Sequence, residues 1–296
     1  MEKICYYIGN RVNRWCNVAV LTTLLALSPS AANAQLVCQR QDSLTVCGLL
    51  QQAPADAGTL WFARQFLGRP YVAHTLEVGD GEPLVVNTRA LDCTTLVETV
   101  VALTLCKQQQ RTSWHDYLAL LESLRYRQGK RNGYASRLHY FSDWIDDKER
   151  MSIVKEIQGP NPPFAAIQRV TACYMSQHPQ HYKALREHPD LLPAIRRQEE
   201  TITGMERRYV PKAAIGNTTL LRETIHDGDI IAIVCNRPGL EIAHLGFAVW
   251  HKDGLHLLNA SQLHKRVVDE PMTLRRYLQQ HPSHLGIRVI RLNSPK

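Results

Sequence analysis

The sequence predicts an α+β fold, with helices first and an antiparallel sheet later. Three observations carry this. Apolar residues recur at helical spacing through the first two thirds of the chain. From Asp229 onward the pattern changes to short apolar runs parted by turn signals. No strand–helix alternation, which would mark a parallel sheet, runs through the chain. The 296 residues suffice for a sizeable core in one large or two modest domains.

In order along the chain, Lys3, Arg11 and Arg14 precede an apolar run from Val18 to Leu27 and then "SPSAANA". Ala32-Asn33-Ala34 fits the small-x-small rule of signal peptidase, so residues 1–34 read as a signal peptide cut after Ala34. The apolar run is too short to span a bilayer comfortably, and no later segment does so, so no stable membrane span is expected after cleavage. "QLVC" before Cys38 is a poor lipoprotein signal. Residues 35–54 read as an irregular N-terminal arm, and 55–296 as a single domain with a helical insertion around 107–210.

"DAGTLWFARQFLG" has helical spacing, ended by Gly68 and Pro70. "EPLVVNTRAL" is short and β-like. "LDCTTLVETVVAL" reads as a helix with Asp92 as N-cap. "TSWHDYLALLESLRYRQ" is another, with Trp114, Tyr117, Leu118, Leu121 and Leu124 on one face and Ser113 as cap. "GPNPP" at 159–163 is a turn, and 178–208 reads as mainly helical. "DIIAIVC", "AHLGFAVW", "LHLLNAS" and "LGIRVIRL" are four strands.

Net charge is +8. The leader holds three bases against Glu2, which leaves +6 for the mature chain and suits an anionic partner such as a bacterial cell wall. The basic residues are dispersed, without a stripe alternating with aromatics, which argues against nucleic acid. Export leaves Cys38, Cys47, Cys93, Cys106, Cys173 and Cys235. In an oxidising compartment Cys38 and Cys47 could close a short local disulfide. Cys106 and Cys235 end apolar runs and read as buried thiols.

Cys93 would sit in the first helical turn, where free backbone N–H groups and the helix dipole favour an anion and lower a thiol pKa. The same amides can hold an oxyanion. The competing reading is a buried small residue that happens to start a helix. A thiolate nucleophile needs a base and the base an orienting group. In an extended strand His244 shares a face with Gly246, Ala248 and Trp250, while Leu245, Phe247 and Val249 turn to the core. If Asp253-Gly254 is a two-residue turn, Ala248 pairs with Asn259, which lies on the His244 face. That register sets Asn259 four residues along from His244, about 13 Å. Contact then needs a bulge, strong twist or a shifted register, with Gly246 a candidate position, and otherwise Ser261 or Gln262 lies closer.

Cysteine at a helix start, histidine in "HLGFAV" and a polar residue on the next strand resemble the papain-like NlpC-type cysteine hydrolases of bacterial cell walls. "LGRPYVAHTLE", "VVNTRALDCTTLVET", "SRLHYFSDWI" and "DGDIIAIV" resemble its N-acetylmuramoyl-L-alanine amidase-like branch, in the same order from about Leu67 to Ala260. The resemblance implies a papain-like fold, the nucleophile helix packed on a C-terminal antiparallel sheet, and hydrolysis of the amide between N-acetylmuramic acid and L-alanine in peptidoglycan or muropeptides. It implies Cys93 as nucleophile, His244 as base and Asn259 as orienting residue, without metal or cofactor, in a periplasmic or secreted protein. One departure is "NAS" where the branch more often has "HAS"; asparagine can still accept from an imidazole N–H. Tyr134, Arg137, Tyr140 and Trp144 of the branch signature would face substrate, Arg137 as a bidentate partner of a peptide carboxylate. The alternative is a helix–loop packing unit with Tyr140 and Trp144 as core. Glu98 reads as a buried structural bond and Asp92 as a cap only.

Other readings are weaker. Zinc catalysis lacks an HExxH, and "HPQHY" and "HKDGLH" lack a matching carboxylate pattern. An endopeptidase cutting within the stem peptide and a wall-binding protein without catalysis share the same general features.

Overall fold

The computed structural model describes residues 36–79 and 81–294. The signal peptide expected at 1–34 lies outside the described residues. Among them no helix is long and apolar enough to cross a membrane.

The expected α+β class holds. Ten strands are β1 Leu36–Val37, β2 Leu84–Val85, β3 Val154–Ile157, β4 Ala166–Arg169, β5 Glu206–Pro211, β6 Ile230–Cys235, β7 Ile242–Trp250, β8 Leu255–Ser261, β9 Arg266–Asp269 and β10 His284–Leu292. Ten helices are α1 Arg40–Gln52, α2 Thr59–Arg64, α3 Cys93–Gln108, α4 Trp114–Arg125, α5 Phe141–Arg150, α6 Tyr174–Gln177, α7 Lys183–Glu187, α8 Leu192–Ile202, α9 Thr219–Thr224 and α10 Leu274–Gln279. The main sheet runs β4-β5-β10-β6-β7-β8-β9, with β3 also paired to β10. All of these pairings are antiparallel.

The apolar run of β6 follows from burial on both faces. Ile230, Ala232 and Val234 turn to one core, against α2, α3 and α4. Ile231 and Ile233 turn to the other, against α9 and α10. In α3 every residue from Thr95 to Cys106 is buried. It packs on α1, α2 and α4 and on β7 and β8, and a helix enclosed this way needs no polar stripe. Glu98 supplies the expected buried bond, 2.7 Å from Arg125 Nε. Arg125 also donates to the carbonyl of Val85 at 2.6 Å, so the pair ties α3, α4 and β2 together.

Three expectations are corrected. The arm at 35–54 is not irregular: it holds β1 and α1, anchored by buried Asp42, which accepts from the Thr88 N–H and hydroxyl at 2.8 Å each. Cys38 and Cys47 are free thiols. Cys47 lies two turns inside α1, about 10 Å along its axis from the start, beyond the reach of a disulfide. The segment 107–210 is not a helical insertion, because β3 and β5 within it pair with β10. Pro179 and Pro189 break the helical stretch at 178–208 into short pieces, and it ends in β5.

Candidate active site

Asp92 caps α3 as expected. Its carboxylate accepts from the Thr95 N–H at 2.8 Å, and the Thr95 hydroxyl accepts from the Asp92 N–H at 2.9 Å. This reciprocal cap fixes Cys93 as the first helical residue, half-buried at the edge of the main core. Its sulfur lies 4.0 Å from the Thr94 hydroxyl oxygen, and the neighbouring Leu245 and Thr94 amides favour its charged form. Leu245 follows His244 on β7, so the helix start and the histidine strand meet at the sulfur.

His244 Nε2 lies 3.0 Å from Asn259 Oδ1. Asn259 is fully buried, and its Nδ2 donates to the Leu257 carbonyl at 3.2 Å. That second bond orients the amide so that Oδ1 must accept, which puts the imidazole proton on Nε2. Nδ1 then carries the free lone pair.

The contact arises through a register two residues away from the expected one. Trp250 pairs with Leu255 and Phe247 with Leu258, so the hairpin loop is the four residues His251–Gly254, closed by the His251 N–H to the Gly254 carbonyl at 2.9 Å. Continuing that ladder sets Asn259 beside Gly246, two residues from His244, within the diagonal reach of cross-strand neighbours. Gly246 is needed there: a Cβ would lie 2.7 Å from the Leu258 carbonyl oxygen. The strand irregularity sits at Ala243 rather than Gly246, where Ile233 pairs with His244 but Val234 with Ile242. Bulges of this kind re-aim side chains beside functional sites.

The expected low thiol pKa is overturned. Burial pushes Cys93 up to about 12, and the Asp92 charge adds to the rise; the Leu245 and Thr94 bonds oppose it without winning. His244 is shifted down by burial, against the Asn259 bond and the charges of Asp92 and Glu270. Both shifts favour uncharged forms, so the resting pair is neutral thiol and neutral imidazole. Asp92 is therefore more than a cap, since its charge reaches both groups.

The four residues expected to face substrate divide. Arg137 gives its fork to Glu82 at 2.8 and 2.7 Å and its remaining nitrogen to Glu77 at 2.7 Å, so no bidentate face is left for a peptide carboxylate. Tyr134 is buried beneath that guanidinium, 5.0 Å from ring centroid to carbon. Tyr140 is core: its hydroxyl donates to Glu199 at 2.7 Å and accepts from the Met175 N–H at 3.1 Å. Trp144 is buried and stacked on Phe141, yet it lines a small cavity with Thr94, His139 and Leu245, next to the start of α3. Its indole N–H has no partner.

His139 was missed, although it stands inside "SRLHYFSDWI". It bonds the Tyr134 carbonyl at 3.0 Å, and burial followed by the Arg137 charge pushes its pKa to about 3. Tyr71 and Tyr277 were missed too. Burial first and the Cys93 charge second push Tyr71 up to about 12; burial, Glu270 and then Cys93 do the same to Tyr277. Tyr71 lies in "LGRPYVAH", but nothing in the α10 sequence marks Tyr277.

Among solved structures, an N-acetylmuramoyl-L-alanine amidase from Bacteroides uniformis is 39% identical with a TM-score of 0.74, covering 79% of this chain and 97% of that one. A Bacteroides fragilis protein described as a candidate xylanase is 38% identical with a TM-score of 0.72, covering 78% and 99%. A Legionella pneumophila protein at 23% identity and TM-score 0.65, covering 85% and 94%, shares the fold. No functionally curated protein matches the chain. A family profile described as N-acetylmuramoyl-L-alanine amidase-like matches residues 61–287, and the chain belongs to that family.

Proposed function

We propose that the protein is an exported cysteine amidase that hydrolyses the N-acetylmuramoyl-L-alanine bond of peptidoglycan fragments through Cys93, His244 and Asn259, in a papain-like arrangement. The observation that carries this reading is the junction at β7. The helix that opens with Cys93 packs on β7, whose Leu245 amide favours the charged form of the thiol and whose His244 imidazole bonds Asn259 through Nε2.

The neutral resting pair implies general-base activation at the moment of attack rather than a standing thiolate. As the Cys93 sulfur bonds the lactyl carbonyl carbon, its proton moves to His244 Nδ1. The Cys93 backbone N–H, unpaired within the helix at its first position, donates to the oxyanion. Collapse breaks the C–N bond, and the imidazolium returns its proton to the departing alanine nitrogen. Water then adds to the thioester carbonyl, giving a proton to Nδ1 as its oxygen bonds carbon. The C–S bond breaks and the sulfur regains a proton. Asn259 holds the imidazole by its Nε2–H through both proton transfers. The cavity lined by Trp144, His139 and Leu245 adds an apolar wall beside Thr94, the residue after Cys93.

Export by a signal peptide and a periplasmic or secreted location belong to this reading; the substrate there is the cell wall or its fragments. Incubating wild-type protein and Cys93→Ser with purified muropeptides, followed by mass analysis, tests it. Intact stem peptide with an N-terminal alanine is expected from wild type alone. Products cut within the stem peptide, or unchanged cleavage by Cys93→Ser, defeat it.

A further inference from the structure

At the far end of β7, about 20 Å along the strand from His244, a second histidine cluster closes the β7–β8 hairpin. His251, His256 and Asp269 offer three donor atoms within 4.8 Å of one another. His251 Nε2 is 3.1 Å from both Asp269 oxygens. His256, almost wholly buried, places Nδ1 2.7 Å from the Glu270 backbone carbonyl and Nε2 3.0 Å from Asp253 Oδ1.

The bonding of His256 is unusual in one respect. A backbone carbonyl only accepts, so Nδ1 carries the proton. In the neutral ring Nε2 then bears a lone pair, and it faces an ionised carboxylate, which also only accepts. Two acceptors at hydrogen-bond distance require a positive charge between or upon them. The bond from Nδ1 to a backbone carbonyl is also the outer contact that fixes metal-binding histidines in the tautomer with a free Nε2.

We propose that His251, His256 and Asp269 form a structural zinc site that pins the hairpin loop to β9, with the exposed Asp253 carboxylate, now on His256 alone, swinging in as the fourth donor. Two imidazoles and two carboxylates match the nitrogen and oxygen donors that zinc takes in tetrahedral geometry. Tetrahedral ligand atoms at zinc distances stand about 3.3 Å apart, so the three donors already within 4.8 Å close by about 1.5 Å or less. Asp253 and His251 are the exposed members that can move. The site lies away from the sulfur and needs no role in amide hydrolysis. The sequence showed only "HKDGLH", because Asp269 joins from the next strand.

Full-length mature protein, dialysed against zinc and then metal-free buffer, is expected to retain about one zinc per chain by elemental analysis. Saturating zinc is expected to raise Tm by about 5 °C. His251→Ala and Asp269→Asn, both at partly exposed positions, should weaken binding at least tenfold and lose the Tm response while keeping amidase activity. Cobalt in place of zinc should give visible bands without a sulfur-to-cobalt band. Absence of bound metal, binding unchanged in both variants, or a sulfur band abolished by Cys93→Ser would overturn the proposal, the last by moving the metal to the nucleophile.

Discussion

The two ends of β7 carry histidine in opposite surroundings. At one end buried His244 meets the neutral amide of Asn259. At the other, His251 and His256 meet the carboxylates of Asp269 and Asp253. A neutral acceptor orients an imidazole without stabilising its charge, so burial lowers the pKa and the ring keeps a lone pair for proton transfer. Carboxylates favour positive charge, whether a second proton or a metal ion. The same residue type, on β7 at one end and on the hairpin loop and β8 at the other, thus meets partners of different charge.

The largest effect tests the active end directly. Cys93→Ala and His244→Ala should each lower kcat/KM for muropeptide cleavage by on the order of 10^4-fold or more, measured by product release, while the hairpin variants leave it unchanged. Loss of activity in His251→Ala equal to that in His244→Ala would erase the distinction between the ends.

Next is the orienting residue. Asn259→Ala frees the imidazole to rotate and should cost on the order of 10^2-fold in kcat. Asn259→Asp gives the active end the partner charge found at the hairpin. With His244 held below the usual 6.5, the wild-type acid limb of kcat/KM should lie below that pH. The Asp variant should carry its limb to higher pH, because a carboxylate favours imidazolium. A pH–rate profile with the wild-type limb above 6.5 would contradict the neutral pair.

A third imidazole sharpens the contrast in stability. His139, with pKa near 3 against an ordinary 6.5, is buried uncharged beside a cation. The unfolded chain binds its proton first as pH falls, so stability is lost downward from pH 6.5 toward 3. The slope is about 1.4 kcal/mol per pH unit from this group. Denaturant titrations of wild type and His139→Phe across that window should differ by this slope. The smallest effect belongs to Asp269→Asn without metal. A half-exposed His–Asp pair contributes about 0.5 kcal/mol, so a metal-free Tm within about 2 °C of wild type is expected.

The fold was legible where local signals agree with burial. Asp92 before "CTTL" announced its cap, and "DIIAIVC" its strand. The short strands β3, β4 and β9 were not legible. Val154–Ile157 owes its strand state to partners on β10 far along the chain, and no run of four residues encodes that. At the site, order and face offered Cys93, His244 and Asn259 as candidates, and the family resemblance supplied their roles. Their contact could not be read, since the loop closed by His251 and Gly254 is two residues longer than Asp253-Gly254 suggested. Arg137 misled for a similar reason: a guanidinium suited to a carboxylate found Glu82 and Glu77 within its own chain.

The strand β10 comes after all the others in order, yet it lies between β5 and β6 and also holds β3. Its buried Arg288 reaches Glu156, 132 residues away. A nascent chain lacking this strand presents β6 with one unsatisfied edge, so assembly of the sheet waits for synthesis of nearly the whole polypeptide. Until then Glu156 and the facing edges of β5 and β6 lack the partners that this last strand supplies.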